Sequence, residues 1–242
     1  MQESTFQRLL DINYQFYQSF GAEFSATRAR IQSGVALILQ RLEGHEHILD
    51  LGCGNGTLAR QLASLGHQGS YTGLDFSLPL LAAADPQPDT FPVTFIQADL
   101  TSTGWDTTLT EDKFDIVFSF AALHHIPSEE LRLDLMMKIA RLLKRNGQFI
   151  HSNWQFLNSA RLRERIHPWQ EAGLNPRDIE PGDYLLDWKR GGLGLRYVHH
   201  FDEEELSRLA DAAGFDVLES FHSDGQGGRL GLYQLWKKKK RG

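Results

Sequence analysis

The sequence predicts an α/β fold: a Rossmann-like, doubly wound sheet of seven strands in which the last strand is antiparallel. Apolar, strand-like runs alternate with segments of helical periodicity through residues 45–155, the pattern of a parallel sheet covered by helices. A glycine-rich turn connects the first of these runs to the first of these helices, as in nucleotide-binding sheets. Two further strand-like runs, 215–218 and 230–236, favour a hairpin that closes the sheet.

The glycine-rich turn is the most informative segment of the chain. Residues 48–56 read Ile-Leu-Asp-Leu-Gly-Cys-Gly-Asn-Gly, and a helix-like run follows over 57–62. Glycine permits a positive φ and lets the backbone approach a ligand, because it has no Cβ. The following helix directs free N–H groups toward the same point. A small polar ligand is therefore expected to lie across Gly52, Gly54 and Gly56.

Spacing and charge within the turn indicate which ligand it takes. The nicotinamide fingerprint is G-x-G-x-x-G with a pyrophosphate at the helix N-terminus, whereas here the glycines run G-x-G-x-G. Asp50, two residues before the first glycine, would repel a pyrophosphate and would attract an ammonium group. Cys53 lies between two of the glycines, where we expect a small packed side chain rather than a nucleophile.

Acidic residues also end the next two strand-like runs. In residues 71–77 the acid is Asp75, and an acid at this place in a doubly wound fold binds the ribose hydroxyls. Phe76 beside it is expected to lie against an adenine ring. Residues 93–100 contain a second acid, Asp99, which can accept a hydrogen bond from the adenine amino group. Each acid can instead cap the following helix. The interpretation therefore depends on the strands, glycines and acids occurring together in this order.

The ordered strands, glycines and acids of residues 45–155 resemble those of the class I S-adenosylmethionine (SAM) methyltransferases. Runs at 114–119 and 148–151 supply the fourth and fifth strands of this pattern. The resemblance implies SAM as cofactor and S-adenosylhomocysteine (SAH) as product. The cofactor-binding residues that we expect on this basis are Asp50, Gly52, Cys53, Gly54, Gly56, Asp75, Phe76, Asp99, Leu100, Ser119, Arg28 and Tyr17. We expect no metal ion, because the two His-His pairs do not have the spacing of a recognised metal site.

Composition agrees with a cytoplasmic enzyme. Hydrophobic residues make up 41% of the 242 positions, which is enough for a packed core. The single cysteine excludes an intrachain disulfide, and we find neither a signal-peptide pattern nor an apolar run of membrane-spanning length. The net charge of −6 is not typical of a strong nucleic-acid binder, although residues 237–241 form a basic tail.

The N-terminal residues predict two helices, 5–20 and 26–42, separated at Gly21. A leading helix covers the cofactor in many SAM enzymes, and Tyr17 is a candidate for that contact, with a core position as the alternative. Arg28 can bind the methionyl carboxylate, because a guanidinium pairs with a carboxylate through two parallel N–H groups. A surface arginine is the alternative.

The region after the fifth strand is expected to determine the methyl acceptor. Residues 159–173 are charged and helix-like, and 174–198 are rich in proline and glycine, so we expect an irregular insertion that covers the acceptor site. A helix over 202–213 then ends at Gly214. The chain is predicted to be one domain with five parts: N-terminal helices (1–44), a SAM-binding core (45–155), an insertion (156–200), a last helix with the closing hairpin (201–236) and a basic tail (237–242).

Four short motifs resemble a narrower family. They are Phe-Ser-x-Thr-Arg at 24–28, Leu-His-His at 123–125, the tryptophan at 154 and Arg-Tyr-x-His-x-Phe at 196–201. This set, over residues 14–236, resembles the methyltransferases that esterify the carboxymethyl group on a tRNA wobble uridine. The resemblance implies tRNA as a partner and, as in the eukaryotic members, a small zinc-binding activator protein.

The acceptor determines which side chains the reaction needs. A carboxylate has an ordinary pKa of about 4, so it is ionised at neutral pH and requires no general base. Arg196 is then the preferred anchor, with His124 and Trp154 lining the pocket and Tyr197 available to stack on a base. If the acceptor is a hydroxyl or an amine, His124 or His199 is the candidate general base. A structural ion pair is the alternative for Arg196.

Two other functions stay open. A methyltransferase acting on a free small metabolite fits the acidic balance and the aromatic insertion. A non-catalytic SAM-binding partner subunit agrees less well with the complete set of glycines and acids, because such a subunit has no need of the cofactor. A positive groove beside the covered pocket would favour tRNA over a small metabolite.

Overall fold

The computed structural model describes residues 1–27, 30–84, 89–109 and 113–239. The helices are α1 (Glu3–Ala26), α2 (Ser33–Leu39), α3 (Thr57–Ser64), α4 (Leu78–Ala82), α5 (Glu129–Leu142), α6 (Ala160–Arg163) and α7 (Glu203–Ala212). The strands are β1 (His47–Leu51), β2 (Ser70–Asp75), β3 (Val93–Gln97), β4 (Phe114–Phe120), β5 (Leu143–Trp154), β6 (Ile166–His167), β7 (Asp183–Trp188), β8 (Gly194–His199), β9 (Phe215–Ser223) and β10 (Gly231–Lys238). Short 3₁₀ turns include Leu123–His125 and Phe156–Asn158. None of the helices in these ranges is long and apolar enough to cross a lipid bilayer.

The described residues form a large sheet of seven strands in the order β3-β2-β1-β4-β5-β10-β9. β1 pairs in parallel with both β2 and β4, so the strand order reverses at β1. β10 runs antiparallel to β5 and to β9. The predicted doubly wound fold with an antiparallel last strand is confirmed. In such sheets a ligand binds outside the carboxyl ends of the strands, at the point of reversal.

Helices on both faces of the large sheet explain why its central strands are continuous apolar runs. Ile48 of β1 packs with α2 and α3, whereas Leu49 packs with α5 and α7. Successive residues of a strand face opposite sides, so both positions must be apolar when helices cover both faces. This packing fixes the carboxyl ends of β1, β2 and β4 along one edge.

The N-terminal helices differ from the expectation. α1 continues through Gly21 instead of ending there, and α2 covers only Ser33–Leu39. A Cβ at Gly21 would lie 3.3 Å from the Pro79 Cβ. Glycine at this position therefore permits close packing of α1 on α4, and it does not mark a break between two helices.

The insertion after β5 contains regular structure that the sequence did not predict. Within 159–173, all of which the structure describes, only Ala160–Arg163 is α-helical. β6, β7 and β8 form a second, antiparallel sheet, which we call the small sheet. Gly191 and Gly192 have φ values of +72° and +144° in the turn between β7 and β8, a conformation that other residues rarely adopt. The glycines that indicated an irregular segment are therefore the turn of a hairpin.

α1 lies between the small sheet and the carboxyl edge of the large sheet. On one face, Leu9 and Ile12 pack against Leu185 and Tyr197 of the small sheet. On the other face, side chains that include Tyr14 line a cavity at the edge of the large sheet. α1 therefore packs on the small sheet through one face and lines the cavity at the edge of the large sheet through the other.

Candidate active site

All three glycines of the turn have a positive φ, but a Cβ would meet different surroundings at each of the three positions. Gly52 has a φ of +78°, and a Cβ there would lie 2.4 Å from the Ala122 Cβ. Gly54 has a φ of +58° and open space where a Cβ would be. Gly56 has a φ of +69° at the start of α3, and a Cβ there would lie 2.7 Å from the Phe95 ring. Gly52 and Gly54 line the cavity, whereas Gly56 packs beneath the turn and not against the expected ligand.

A cavity of about 310 Å³ opens over the turn, at the carboxyl ends of β1, β2 and β4. One face of α1 and the residues that follow β4 complete its wall. Its carboxylates are Asp11, Asp50, Asp75 and Asp99. Among the described residues that line it, the basic side chains are Arg30 and His125. This excess of carboxylates favours a cationic ligand.

Backbone N–H groups on two sides hold the Asp75 carboxylate at the end of β2. It accepts hydrogen bonds from the Gly54 N–H at 2.9 Å and from the Ser77 N–H at 2.8 Å. Burial raises the pKa of Asp75 to about 6, although these hydrogen bonds act in the opposite direction. Asp75 therefore links the glycine turn to β2 and faces the cavity, where it is available for the predicted ribose contact.

Asp50, near the end of β1, accepts a hydrogen bond from the Tyr71 hydroxyl at 2.6 Å. Burial raises the pKa of Asp50 to about 7; the Tyr71 hydrogen bond lowers it and the Asp75 charge raises it further. Burial, with the nearby carboxylates, also raises the pKa of the Cys53 thiol. Because a thiol is nucleophilic only as the thiolate, Cys53 is suited to packing.

An aromatic cluster lies beside the acids. The Phe76 ring stacks on Tyr14, with ring centroids 6.1 Å apart, and meets the Tyr17 ring edge-on at 5.6 Å. Asp99 is exposed at the cavity wall, and Leu100 next to it also lines the cavity. Phe76 and Asp99 therefore line the same cavity, as the predicted adenine contacts require, and the expected cofactor residue Leu100 lines it with them.

Besides Gly56, the expected cofactor position Ser119 does not line the cavity in the described structure. Ser119 is buried in β4, and Phe120 and Ala121 line the cavity in its place. Successive residues of a strand face opposite sides, so a prediction of the right strand can select the wrong neighbour. Arg28 lies outside the described residues.

His125, rather than His124, lines the cavity. Its Nδ1 lies 3.0 Å from the Tyr197 carbonyl oxygen, and its Nε2 lies 2.9 Å from the Tyr17 hydroxyl. A carbonyl oxygen only accepts, so Nδ1 carries the proton, and Nε2 of the neutral ring accepts from Tyr17. His124 is buried and accepts the Trp154 N–H at Nδ1, at 3.3 Å. The expectation that His124 lines the pocket is therefore corrected to His125.

Arg196 lies in a cage of three aromatic rings. Its guanidinium carbon is 5.0 Å from the Phe16 ring centroid, 5.4 Å from that of Trp154 and 5.3 Å from that of Trp188. Arg196 is 4% exposed. The Phe16 ring is 5.0 Å from the Tyr17 ring, which lines the cavity. The structure thus brings Arg196 and Trp154 together, as expected, but one layer of rings away from the cavity.

His199 and Tyr197 belong to a buried ionic network rather than to the cavity wall. His199 donates from Nδ1 to Asp183 at 2.7 Å and from Nε2 to Glu205 at 2.9 Å, so its ring is a doubly protonated imidazolium. The Tyr197 hydroxyl donates to the same Asp183 oxygen at 2.8 Å. Because an imidazolium accepts no proton, the structure corrects the assignment of His199 as a general base. Tyr197 is fully buried, which excludes stacking on a base.

Residues 48–147 match the model of the methyltransferase domain family. ECU09_1500, an Encephalitozoon cuniculi protein assigned to the methyltransferases, is 29% identical over 210 residues, which cover 85% of this chain and 88% of that protein. The matched core contains the glycine turn and both strand-end acids. The chain is a class I SAM-dependent methyltransferase. This sets aside the non-catalytic subunit as a function.

Relatives of this methyltransferase act on different acceptors. A Schizosaccharomyces pombe tRNA (carboxymethyluridine(34)-5-O)-methyltransferase is 24% identical over 220 residues, covering 85% of this chain and 89% of that protein. A Klebsiella pneumoniae trans-aconitate 2-methyltransferase is 29% identical over 177 residues, covering 72% of this chain and 62% of that protein.

Solved structures share the fold of this methyltransferase. A SAM-dependent methyltransferase from Methanosarcina mazei superimposes with a TM-score of 0.65 at 23% identity, covering 85% of this chain and 98% of that chain. A Haloferax volcanii protein assigned as a methyltransferase, in complex with the activator Trm112, gives a TM-score of 0.66 at 18% identity, with 94% and 98% covered.

The cavity of the methyltransferase fits SAM, which carries a charged amino group and, when bound, supplies an electrophilic methyl on its sulfonium. Gly54 leaves space for close approach, and the carboxylates offset the positive charge. Asp50 would bind the amino group, Asp75 the ribose, and Phe76 the adenine. No group of three or more His, Cys, Asp or Glu side chains suited to a metal ion occurs in the described ranges.

Sequence reasoning missed Tyr14 and Tyr71. Tyr14 lies on the same face of α1 as Leu10 and Tyr17, and this spacing of three to four residues was available in the sequence. Tyr71 carried no such signal, because an aromatic residue at the start of a strand is typical of a packed core position. Its contact with Asp50 depends on the register of β1 and β2.

Proposed function

We propose that this methyltransferase transfers the methyl group of SAM to a carboxylate oxygen of a carboxymethylated wobble uridine in tRNA. The Arg196 cage carries the proposal, because it holds a guanidinium between Trp154 and Trp188 next to the cofactor cavity. A guanidinium binds a carboxylate through two parallel N–H groups, and aromatic rings stack on unpaired bases. The Schizosaccharomyces pombe relative named for this reaction supports the same acceptor.

In this reaction the protein has to position the acceptor oxygen relative to the methyl group of SAM. The acceptor carboxylate is already ionised at neutral pH, so Arg196 needs only to orient it, with its oxygen about 3–3.5 Å from the methyl carbon. Phe16 and Tyr17 lie between Arg196 and the cavity. The acceptor therefore reaches the cofactor only when α1, which carries both rings, shifts.

The proposal includes tRNA as a partner, a small activator protein and a cytoplasmic location. Arg161 and Arg163 on α6, and Lys189 after β7, are exposed close in sequence to the two tryptophans of the cage, where they can contact phosphates. The Haloferax volcanii neighbour is in complex with an activator. A single cysteine agrees with a reducing compartment.

Arg196→Lys is expected to lower kcat/KM for carboxymethylated tRNA by about 10- to 100-fold, because a point charge cannot replace a planar donor pair. The measurement incubates the enzyme with SAM and carboxymethylated tRNA, with and without an activator protein, and quantifies the nucleoside ester by mass spectrometry. The control is SAH affinity, which the substitution should leave unchanged. Equal kcat/KM for wild type and variant would remove Arg196 from the acceptor site.

A small hydroxyl or amine acceptor is the second candidate, and the Tyr17–His125 pair favours it. Both side chains line the cavity, and Nε2 of His125 accepts from the Tyr17 hydroxyl at 2.9 Å. An acceptor proton can pass to the Tyr17 oxygen while the Tyr17 proton passes to Nε2, so the pair can act as a general base. Such a base has no part in the methylation of a carboxylate.

The dependence of kcat on pH, measured at saturating SAM, separates the two candidates. For a carboxylate acceptor we expect a constant kcat from about pH 6 to 9, and residual turnover in His125→Ala. His124→Ala is the matched control, because His124 is the neighbouring histidine and faces away from the cavity. A kcat that rises with pH and is lost in His125→Ala alone would establish the second candidate. Turnover of a small metabolite without turnover of carboxymethylated tRNA would also establish the second candidate.

A further inference from the structure

Asp50 and Tyr71 form a buried pair in the cofactor cavity. The Tyr71 hydroxyl donates to Oδ2 of Asp50 at 2.6 Å, and Tyr71 is 1% exposed. Its ring is fixed by the core between the large sheet and α2 and α3, where it meets Phe95 edge-on at 5.9 Å. Within the described part of the chain, no donor reaches the other oxygen, Oδ1. The carboxylate thus has one oxygen held from the core and one left for a ligand.

We propose that Tyr71 is a positioning residue that holds Asp50 for the amino group of the cofactor, and that cofactor binding releases a proton from Asp50. The inference concerns the cofactor end of the cavity and does not depend on the methyl acceptor. Tyr71 itself lies behind Asp50 and would not touch the cofactor.

The surroundings of Asp50 make its ionisation sensitive to what the cavity contains. Among the residues that the structure describes, the groups that face it are the Tyr71 hydroxyl, the Asp75 carboxylate from β2 and the Cys53 thiol from the turn, and none of these three carries positive charge. Burial raises the pKa of Asp50 to about 7, against the opposing effect of Tyr71, so the carboxyl group is partly protonated near neutral pH. A positive amino group beside it favours the ionised form.

The sign of the pH dependence follows from linkage. A ligand that binds the ionised carboxylate more tightly displaces its proton, so affinity falls as the pH falls below the pKa of the free site. Loss of the Tyr71 hydroxyl removes a hydrogen bond that favours the ionised form. The fall in affinity should then begin at a higher pH in Tyr71→Phe than in the wild type.

Titration calorimetry with SAH tests the proposal without any methyl acceptor. At pH 6.5, in two buffers of different ionisation enthalpy, we expect the wild type to release protons on binding SAH, because a carboxyl group with a pKa of about 7 is mostly protonated at that pH. Asp50→Asn should lose this release. Tyr71→Phe should bind SAH about tenfold more weakly at pH 7, with its affinity–pH profile displaced to higher pH.

Tyr233→Phe is the matched control. The Tyr233 hydroxyl also donates to a carboxylate, that of Asp224, at 2.5 Å, and Tyr233 is also 1% exposed, but it does not line the cavity. The Tyr233→Phe variant should have the same SAH affinity, proton release and affinity–pH profile as the wild type. Thermal unfolding of each variant excludes a folding defect as the cause. An unchanged profile in Tyr71→Phe, or wild-type proton release in Asp50→Asn, would overturn the proposal.

Discussion

Replacing His199 by alanine is expected to lower the free energy of unfolding by about 3–5 kcal/mol, the cost of breaking a buried ion pair by removing one partner. The imidazolium lies between Asp183 and Glu205, with contacts of 2.7 and 2.9 Å, and is 1% exposed. Without it, the buried Asp183 carboxylate keeps the Tyr197 hydroxyl and loses its positive partner. Glu205 keeps Arg132, at 3.7 Å, as a positively charged neighbour.

The contribution of His199 should also depend on pH. Burial lowers the pKa of an imidazole, but the hydrogen bonds to Asp183 and Glu205 outweigh it and raise the pKa of His199 above its usual value. A raised pKa gives stability that is complete below the pKa of the unfolded chain, about 6.5, and is lost as the pH rises through the folded value. The difference in stability between wild type and His199→Ala should therefore be larger at pH 6 than at pH 9.

Urea unfolding of wild type and variant at the two pH values measures both effects. His45→Ala is the control, because the His45 side chain is 72% exposed and its contact with Glu43 is 3.7 Å long. We expect it to change the free energy of unfolding by less than about 0.5 kcal/mol. A His199→Ala variant as stable as the control would show that the network contributes nothing.

Gly52→Ala is expected to lower the free energy of unfolding by about 2–5 kcal/mol and to weaken SAH binding. A left-handed conformation costs a non-glycine residue about 1–2 kcal/mol, and excess volume in a packed site costs about 1–3 kcal/mol more. Both apply here, since φ is +78° and the new Cβ would lie 2.4 Å from the Ala122 Cβ. The turn must move to relieve the contact, and it forms part of the cavity wall.

Gly66→Ala is the control that measures the cost of a positive φ without a steric overlap of the new Cβ. Gly66 has nearly the same φ, +77°, but nothing lies within 4 Å of a Cβ there. Its substitution should cost only about 1–2 kcal/mol and leave SAH affinity unchanged. Adding Ala122→Gly to Gly52→Ala should recover the overlap part, seen as a favourable coupling in a double-mutant cycle. Equal losses at Gly52 and Gly66, with no recovery, would contradict the assigned role of Ala122.

The fold and the cofactor side of the site were predictable because local patterns determine them. Strand-like runs, the glycine turn and acids at strand ends are short-range features, and the order of parallel strands brings their carboxyl ends to one edge. Asp50, Gly52, Gly54, Asp75, Phe76, Asp99 and Leu100 all line one cavity. For these residues, knowledge of the element was enough to find the site.

The part of the site that we propose for the acceptor was less predictable, because tertiary contacts determine it. His124 and His125 are adjacent in a 3₁₀ turn, and the packing of α1 and β8 decides which ring faces the cavity. His199 has the residue type of a general base, but two carboxylates that lie 16 and 6 residues away fix its charge. Gly21 resembles a helix end in the sequence and is a packing contact in the structure.

The position of α1 has a consequence for how such an enzyme changes its substrate over evolution. One face of the helix, with Leu10, Tyr14 and Tyr17, contacts the cofactor cavity, and the opposite face, with Leu9 and Phe16, contacts the small sheet and the Arg196 cage. If the acceptor binds at the Arg196 cage, as we propose, mutations on the second face and in the small sheet can alter acceptor selection while the residues around the cofactor stay the same. Relatives of this chain are named for acceptors as different as tRNA and trans-aconitate.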